Sequence, residues 1–397
     1  MVVIPLIIII EVMRRRNLFK TLTPGKLFFP ISIFIIFTLI SAIINDTSWV
    51  ETAGYLAVYL RYPLFFLLLV NIDFEEKLLQ KFITIFFLLL FLQIPEVLYR
   101  YFALGIKGDD ISWSLGSWGT TNLGIYSIYA VCIILASALH NRFTIGHIIG
   151  ILIPFLFALF GEIKAIVIWV PISVLITIYF YPFQTKIKKY SVVIMAILTG
   201  AIFFKFFYTN WQHFHGRQLD SIIRTTYLTL EGEVGEERKY SAYRLGILFR
   251  VIDELKKSNT AILFGEGPGS SLAGNFFKKP SRIMEIISET KDTPNQIASA
   301  LLDVGIIGLA LYYIILIAVI MTILRVKDMS NFPETKSFRI LKTAYPAIIF
   351  YYLIIGPLYH PVWRFDAASY IFYFLSAELY HASRINNLQN TSGKKKI

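Results

Sequence analysis

Apolar residues run along this chain in long blocks separated by short polar breaks. Blocks such as Ile31 to Ile44, Phe82 to Leu104, Leu123 to Leu139, Val192 to Phe207 and Ile297 to Leu324 are long enough to span, or nearly span, a bilayer. The pattern predicts about eleven membrane segments, at 2–12, 27–44, 53–72, 81–104, 122–139, 145–160, 165–181, 191–208, 297–324, 339–356 and 367–383. The 145–181 pair is tight, with its break at Gly161-Glu162-Ile163-Lys164. The fold class expected is all-α: a polytopic membrane protein with one long extracytoplasmic helical loop.

That loop is where the pattern changes. Between Tyr208 and Ile297 charged residues crowd in, acids and bases in near balance, around a glycine-rich turn, Gly265-Glu266-Gly267-Pro268-Gly269. Charge is expensive inside a bilayer and cheap in water, so a single large polar insertion is the natural place for chemistry. Within it, Ser241 to Lys257 carries Leu245, Leu248, Phe249, Ile252 and Leu255 at helical spacing. Ser258-Asn259 ends that helix, Ala261-Ile262-Leu263-Phe264 enters the glycine turn, and Lys278 to Glu289 reads as another short helix. Thr293-Pro294-Asn295 opens the next span. Three parts follow: N-terminal helices over 1–208, the extracytoplasmic loop over 209–296, and C-terminal helices with a basic cytoplasmic tail over 297–397.

Composition agrees with the pattern. A hydrophobic fraction of 56% excludes an ordinary soluble domain. A net charge of +12 would point to nucleic acid in a soluble protein, but here the excess sits at helix ends, and no nucleic-acid partner is expected. One set of alternate loops holds Arg14/Arg15/Arg16/Lys20/Lys26, Lys77/Lys81, Arg142, Lys186/Lys188/Lys189, Arg325/Lys327/Lys336/Arg339/Lys342 and the tail Lys394/Lys395/Lys396. The positive-inside rule makes these cytoplasmic and puts the 209–296 loop outside. The N-terminus runs apolar (Val2 to Ile10) and then basic, the reverse of a signal peptide. The chain is expected to begin inside a helix, through a misplaced start or a divergent first segment. The lone Cys132 excludes an internal disulfide.

Four cations need a reason for their positions: Arg61 inside an apolar span, Lys164 at the outer end of a helical pair, Arg244 early in the loop helix, and Arg364 beside the last span. Arg61 either pairs with an acid or faces a polar cavity; the other three either snorkel or join it. Together they would make an outward-facing cationic pocket for phosphate, which guanidinium groups bind bidentately. The glycine turn is either a plain tight turn or a nest of backbone N–H groups for an anion, with the plain turn favoured. It is neither a Walker A loop nor a dinucleotide fingerprint. Metal sites are not expected: His213 and His215 fall on different helix faces, no HExxH occurs, and Asp109-Asp110 is first a solvated loop.

The order of these pieces resembles the O-antigen polymerase and O-antigen ligase superfamily. The resemblance is carried by Arg244, then Gly265-Glu266-Gly267-Pro268-Gly269, then Asn295, then Asp303-Val304-Gly305-Ile306-Ile307-Gly308. These are similar to that family's Arg, Gly-x-Gly-x-Gly, His-Asn and Leu-x-Glu-x-Gly-x-x-Gly series. Ser117 to Asn122 resembles its Gly…Asn helix entry, and Arg61 its early intramembrane Arg. The hydropathy match covers nearly the whole chain, the motif match 244–308. The resemblance implies a metal-independent, inverting glycosyltransferase without cofactors, in the bacterial cytoplasmic (inner) membrane. It would join undecaprenyl-pyrophosphate-linked repeat units of O-antigen, capsule or exopolysaccharide, with a chain-length regulator as a further partner.

In that scheme Arg244 is catalytic. Arg61, Lys164, Gly265, Gly267, Gly269, Asn295 and Arg364 bind substrate, and Asp292, Glu266 or His360 supplies the base. The ligases carry a His directly before the Asn. Here that position is Pro294, which shifts weight from ligase, transferring polymer to lipid A-core, toward polymerase. A lipid-linked-saccharide transporter or flippase is the alternative of another class, and the long loop argues against it.

Overall fold

A computed structural model describes residues 27–71, 76–106, 111–112, 119–161, 163–215, 244–271, 294–324, 336–359, 362–363 and 366–393. Among these residues the secondary structure is helical, with no strand. In chain order the helices are α1 (Phe28–Ile44), α2 (Trp49–Val70), α3 (Glu76–Phe102), α4 (Gly119–His140), α5 (Ile145–Gly161), α6 (Lys164–Phe180), α7 (Lys186–His215), α8 (Arg244–Leu255), α9 (Asn259–Phe264), α10 (Gln296–Leu324), α11 (Lys336–Phe350), α12 (Gly356–Tyr359) and α13 (Asp366–Gly393). A π turn over Tyr351–Ile355 joins α11 to α12.

The predicted segments from 27–44 onward each fall on a helix or helical stretch; segment 2–12 and the short helix over 278–289 lie outside the described residues. Among the described residues six helices are long and apolar enough to cross a membrane: Trp49–Val70, Gln80–Phe102, Thr121–His140, Lys186–Asn210, Gln296–Ile323 and Lys336–Leu358. Phe28–Ile44, Ile145–Gly161 and Trp169–Phe180 are shorter apolar helices. The span expected at 191–208 is longer than anticipated, because α7 takes in the Lys186/Lys188/Lys189 cluster and runs on to His215.

The chain packs as two units. One gathers Met1–Asp73, Thr226–Ser330 and Leu353–Ile397; the other gathers Phe74–Thr225 and Asn331–Tyr352. In the second unit α4 is the centre, packed on α5, α6 and α11, and its residues Ile128 to Val131 are fully enclosed. The turn from α4 into α5 is closed by His147: Thr144 N–H donates to its Nδ1 at 3.2 Å, while its Nε2 meets Ser137 Oγ at 3.3 Å.

The first unit holds the rest of the story. A capping box starts α2: Glu51 N–H donates to Ser48 Oγ at 3.2 Å, and Ser48 N–H donates to the Glu51 carboxylate at 3.3 Å. Pro63 then sits inside α2 and has no N–H for the Tyr59 carbonyl one turn back. The Tyr312 hydroxyl donates to that carbonyl instead, at 3.4 Å. Tyr62 of α2 lies edge-on to Tyr370 of α13 at 5.0 Å, and Leu69 accepts a bond from His381 Nε2 at 2.8 Å. These two contacts set α2 and α13 side by side in the same direction.

Helix α10 departs from the single straight span expected over 297–324. Gly305 interrupts it with φ +66° and ψ −169°, so residues 296–304 form a separate helical segment before the break. Residues 306–324 alone reach about 28 Å, enough for a hydrocarbon core. The segment before the break is therefore free for another use, and the amphipathic helix α8 supplies it. Ile247, Leu248, Val251 and Leu255 close over Ala298, Leu301 and Leu302. A helix of twelve residues is marginal alone in water, so this apolar seal is what holds α8 in place. The expected stripe is rotated in one respect: Phe249 points outward, and Ile247 and Val251 take the buried positions.

Candidate functional site

The glycine turn is built against the break in α10. Ser258 caps α9, its Oγ accepting from Ala261 N–H at 3.3 Å, so this serine opens a helix as well as closing the one before it. Helix α9 ends at Gly265, with φ +75° and ψ −166°, a conformation that is essentially glycine's alone. Gly305 adopts nearly the same angles, and the two glycines face each other. A Cβ on Gly265 would lie 2.6 Å from Leu302 O and Val304 N, and one on Gly305 would lie 2.6 Å from Gly265 N. Two backbones thus cross with no side chain between them. Gly267, at φ +112°, leaves no room for a Cβ against Thr47 in the α1–α2 connection.

Hydrogen bonds stitch the crossing together. Glu266 N–H donates to Leu302 O at 2.7 Å, and Ser41 Oγ of α1 donates to Phe264 O at 2.7 Å. Asp303, fully buried, accepts from Ser271 N–H and from Ser271 Oγ, each at 2.7 Å. Ser270 Oγ reaches Leu302 O at 3.0 Å and Asp303 Oδ1 at 3.3 Å. Gly265 N–H is bound to Ala261 O at 2.8 Å and Ser270 N–H to Gly267 O at 3.1 Å. The N–H groups of residues 265, 266, 270 and 271 are thus spent inside the fold. The plain tight turn is what the geometry builds, and an anion would have only the N–H groups of Gly267 and Gly269 to address.

The start of α10 forms a second junction. Asn295 Oδ1 accepts from Ala298 N–H at 2.8 Å as an N-cap, and its Nδ2 donates to Leu358 O of α12 at 3.0 Å. Gln296 Nε2 donates to the Tyr59 hydroxyl at 2.8 Å, and Gln296 Oε1 accepts from Trp363 N–H at 3.2 Å. Both side chains are fully buried. Tyr59 in turn belongs to a run of rings, Tyr55, Tyr59, Tyr312 and Trp363, with centroids 4.4, 5.2 and 4.9 Å apart in succession. Two residues further along α2 from Tyr59, Arg61 is buried at 6% exposure with its guanidinium 4.5 Å over the ring of Tyr62. That is a cation–π seat in a low-dielectric surround.

Of the residues expected at the site, the structure places Arg61, Gly265, Glu266, Gly267, Gly269 and Asn295 in this one unit. Glu266 is half-buried at the turn. Arg244 opens α8 in the same unit, with its side chain outside the described set. Lys164 opens α6 in the other unit, again by its backbone alone. Asp292, His360 and Arg364 lie outside the described residues, as do Asp109 and Asp110. Asn295, expected to bind substrate, has its carboxamide engaged by Ala298 and Leu358. Among the described residues no group of three His, Cys, Asp or Glu stands together as a metal site. Sequence reasoning missed Gln296, Ser270 and Ser271. The signal for Gln296 was a polar pair, Asn295-Gln296, where a long apolar helix begins.

The fold is that of an all-helical protein built for a membrane. No protein-family model matches the chain, and no curated protein matches it.

Proposed function

We propose that this protein polymerises undecaprenyl-pyrophosphate-linked oligosaccharide repeat units on the outer face of the bacterial cytoplasmic membrane. The observation that carries it is convergence. The glycine turn, Asn295 and Asp303–Gly305 are the pieces that resemble the O-antigen polymerase and ligase superfamily: the turn and Asp303–Gly305 form one crossing, Asn295 caps the start of the same helical segment, and the helix that Arg244 opens packs on that segment. Arg61 is buried in the same unit. An eleven-span path with the 209–296 loop outside the cytoplasm belongs to this proposal.

In the reaction the acceptor sugar's hydroxyl oxygen attacks the anomeric carbon of the donor repeat from the face opposite the diphosphate. The anomeric carbon–oxygen bond to the diphosphate breaks, undecaprenyl pyrophosphate leaves with the bonding electrons, and the configuration inverts. Arg244, with Arg61 and Arg364, neutralises the diphosphate as charge develops on it, a task fixed guanidinium groups perform without a cation. The hydroxyl proton passes to a base, for which Asp292, Glu266 and His360 are the candidates. Pro294, where the ligases have His, weights the choice toward polymerase.

The test is purified protein in nanodiscs with lipid-linked repeat units. A ladder of lengthening polymer, unaffected by EDTA, is the expected result. Transfer of saccharide to an added acceptor lipid without a ladder would make it a ligase. Movement of the lipid-linked repeat across the bilayer with no new glycosidic bond would make it a flippase. A ladder lost in EDTA and restored by magnesium would bring Asp109-Asp110 forward as a metal site.

A further inference from the structure

We infer that Asp303 is a positioning residue, a carboxylate latch that docks the glycine turn and, through it, the helix bearing Arg244. The inference rests on the polymerase reading only where it speaks of Arg244 and the diphosphate. The latch itself is geometric.

Asp303 is fully buried on the last turn before the break in α10. A carboxylate there is costly unless donors meet it. The donors come from across the crossing: Ser271 N–H and Ser271 Oγ at 2.7 Å, and Ser270 Oγ at 3.3 Å. Both serines lie directly after the glycine turn, so the carboxylate keeps these donors only while the turn is docked. The two facing glycines let the backbones come close enough for this reach. Helix α8 closes over the same segment, Ala298, Leu301 and Leu302, so the pose of Arg244 depends on the surface the latch organises. Undocking the turn would take these three donors from the carboxylate, expose the backbone groups of Leu302 and loosen the α8 seal together.

A latch and a chemical base make opposite predictions for one substitution. In Asp303→Asn, Oδ1 still accepts from Ser271 N–H, and the new Nδ2 donates to Ser271 Oγ, which turns its own proton away. A latch tolerates that change; a proton-accepting carboxylate does not.

The experiment uses the full chain in nanodiscs. The buried Cys132 is replaced by Ala, and Pro268→Cys places a reporter in the buried turn. Maleimide labelling reports docking, and ladder formation is measured in parallel on protein that keeps Pro268. Labelling should be slow in the Asp303 and Asp303→Asn proteins. It should be at least tenfold faster in Asp303→Ala and in the Ser270→Ala/Ser271→Ala pair, which attacks the latch from its other side. Ladder rates should fall at least tenfold in those two and stay within a few-fold for Asp303→Asn. A reporter thiol that stays protected in both disrupting variants overturns the latch. So does an Asp303→Asn protein that stays docked yet makes no ladder where the Asp303 protein makes one. Labelling as expected with no ladder from the parent protein upholds the latch and rejects the polymerase reading instead.

Discussion

Gly305→Ala is the sharpest perturbation of this fold. Gly305 sits at φ +66° and ψ −169°, inside the region reserved for glycine, and forcing an L residue there costs about 1–3 kcal/mol. The new methyl would also meet backbone, not a side chain that can swing aside. Gly265 N would lie 2.6 Å away, and Leu263 C and O closer still. Overpacking of that kind adds about 1–3 kcal/mol. The sum, about 2–6 kcal/mol, is a large share of the whole stability of an ordinary domain. Gly146→Ala is the internal control. It sits in helix α5, its φ is ordinary, and its nearest contact would be Thr144 Oγ1 at 3.6 Å. Alanine there should be neutral or better by up to about 1 kcal/mol. Both variants would be unfolded with SDS in mixed micelles and followed by helical circular dichroism and by labelling of a cysteine at 268. Gly305→Ala should lose stability by the amount above or expose the turn without global unfolding. Equal stability of the two variants, with position 268 protected in both, would refute the glycine-on-glycine crossing.

Three other outcomes follow from the same geometry. Arg61→Gln leaves a shorter hydrogen-bonding side chain but removes the charge seated over Tyr62, and should slow ladder formation about a hundredfold or more if Arg61 serves the diphosphate; normal ladders from a stably inserted variant would assign Arg61 to packing alone. Asn295→Ala removes the α10 cap and the tie to Leu358 and should cost about 2–3 kcal/mol in SDS unfolding, whereas Asn295→Ser keeps a cap acceptor and should cost less; equal losses would show that the cap carries nothing. In intact cells an impermeant maleimide should label a cysteine at 268 only after the turn is loosened by Asp303→Ala, and should never label one at 188; labelling at 188 would reverse the proposed sidedness.

Much of the fold is legible in the sequence because apolar runs and charged breaks report burial directly. The break between α5 and α6 is visible as Gly161-Glu162-Ile163-Lys164, and the end of the membrane-like pattern after Tyr208 marks where α8 and α9 are found. The interruption of α10 is not legible. Asp303-Val304-Gly305 sits inside the long apolar run that reads as one span over 297–324, and a glycine does not announce whether it will take φ +66° or continue a helix. What fixes it is Gly265, forty residues earlier in the chain, and a nonlocal contact of that kind leaves no local signature. The same holds for Gln296, whose worth lies in reaching Tyr59 and Trp363 at once. The stripe in α8 was found as a stripe, but its rotation was decided by the surface it meets, which is why Phe249 lies outside it. At the site, intramembrane charge singled out Arg61, which is buried over the ring of Tyr62, while Asn295 shows the limit of motif reasoning: a polar residue at a helix start has a capping role whether or not it also meets a ligand.

The central claim is that Arg244 holds the leaving diphosphate of a lipid-linked saccharide, and one assay tests it most directly. Purified Arg244→Ala, Arg244→Lys and unaltered protein, matched for amount and for helical content, are given undecaprenyl-pyrophosphate-linked repeat units, and the polymer ladder is followed over time. Losing a transition-state contact of ~2.7–4 kcal/mol costs about a hundred- to a thousand-fold in rate, so Arg244→Ala should form essentially no ladder. Arg244→Lys, which keeps the charge but not the planar fork, should recover part of the rate. Ladders from Arg244→Ala at the rate of the unaltered protein would contradict the account.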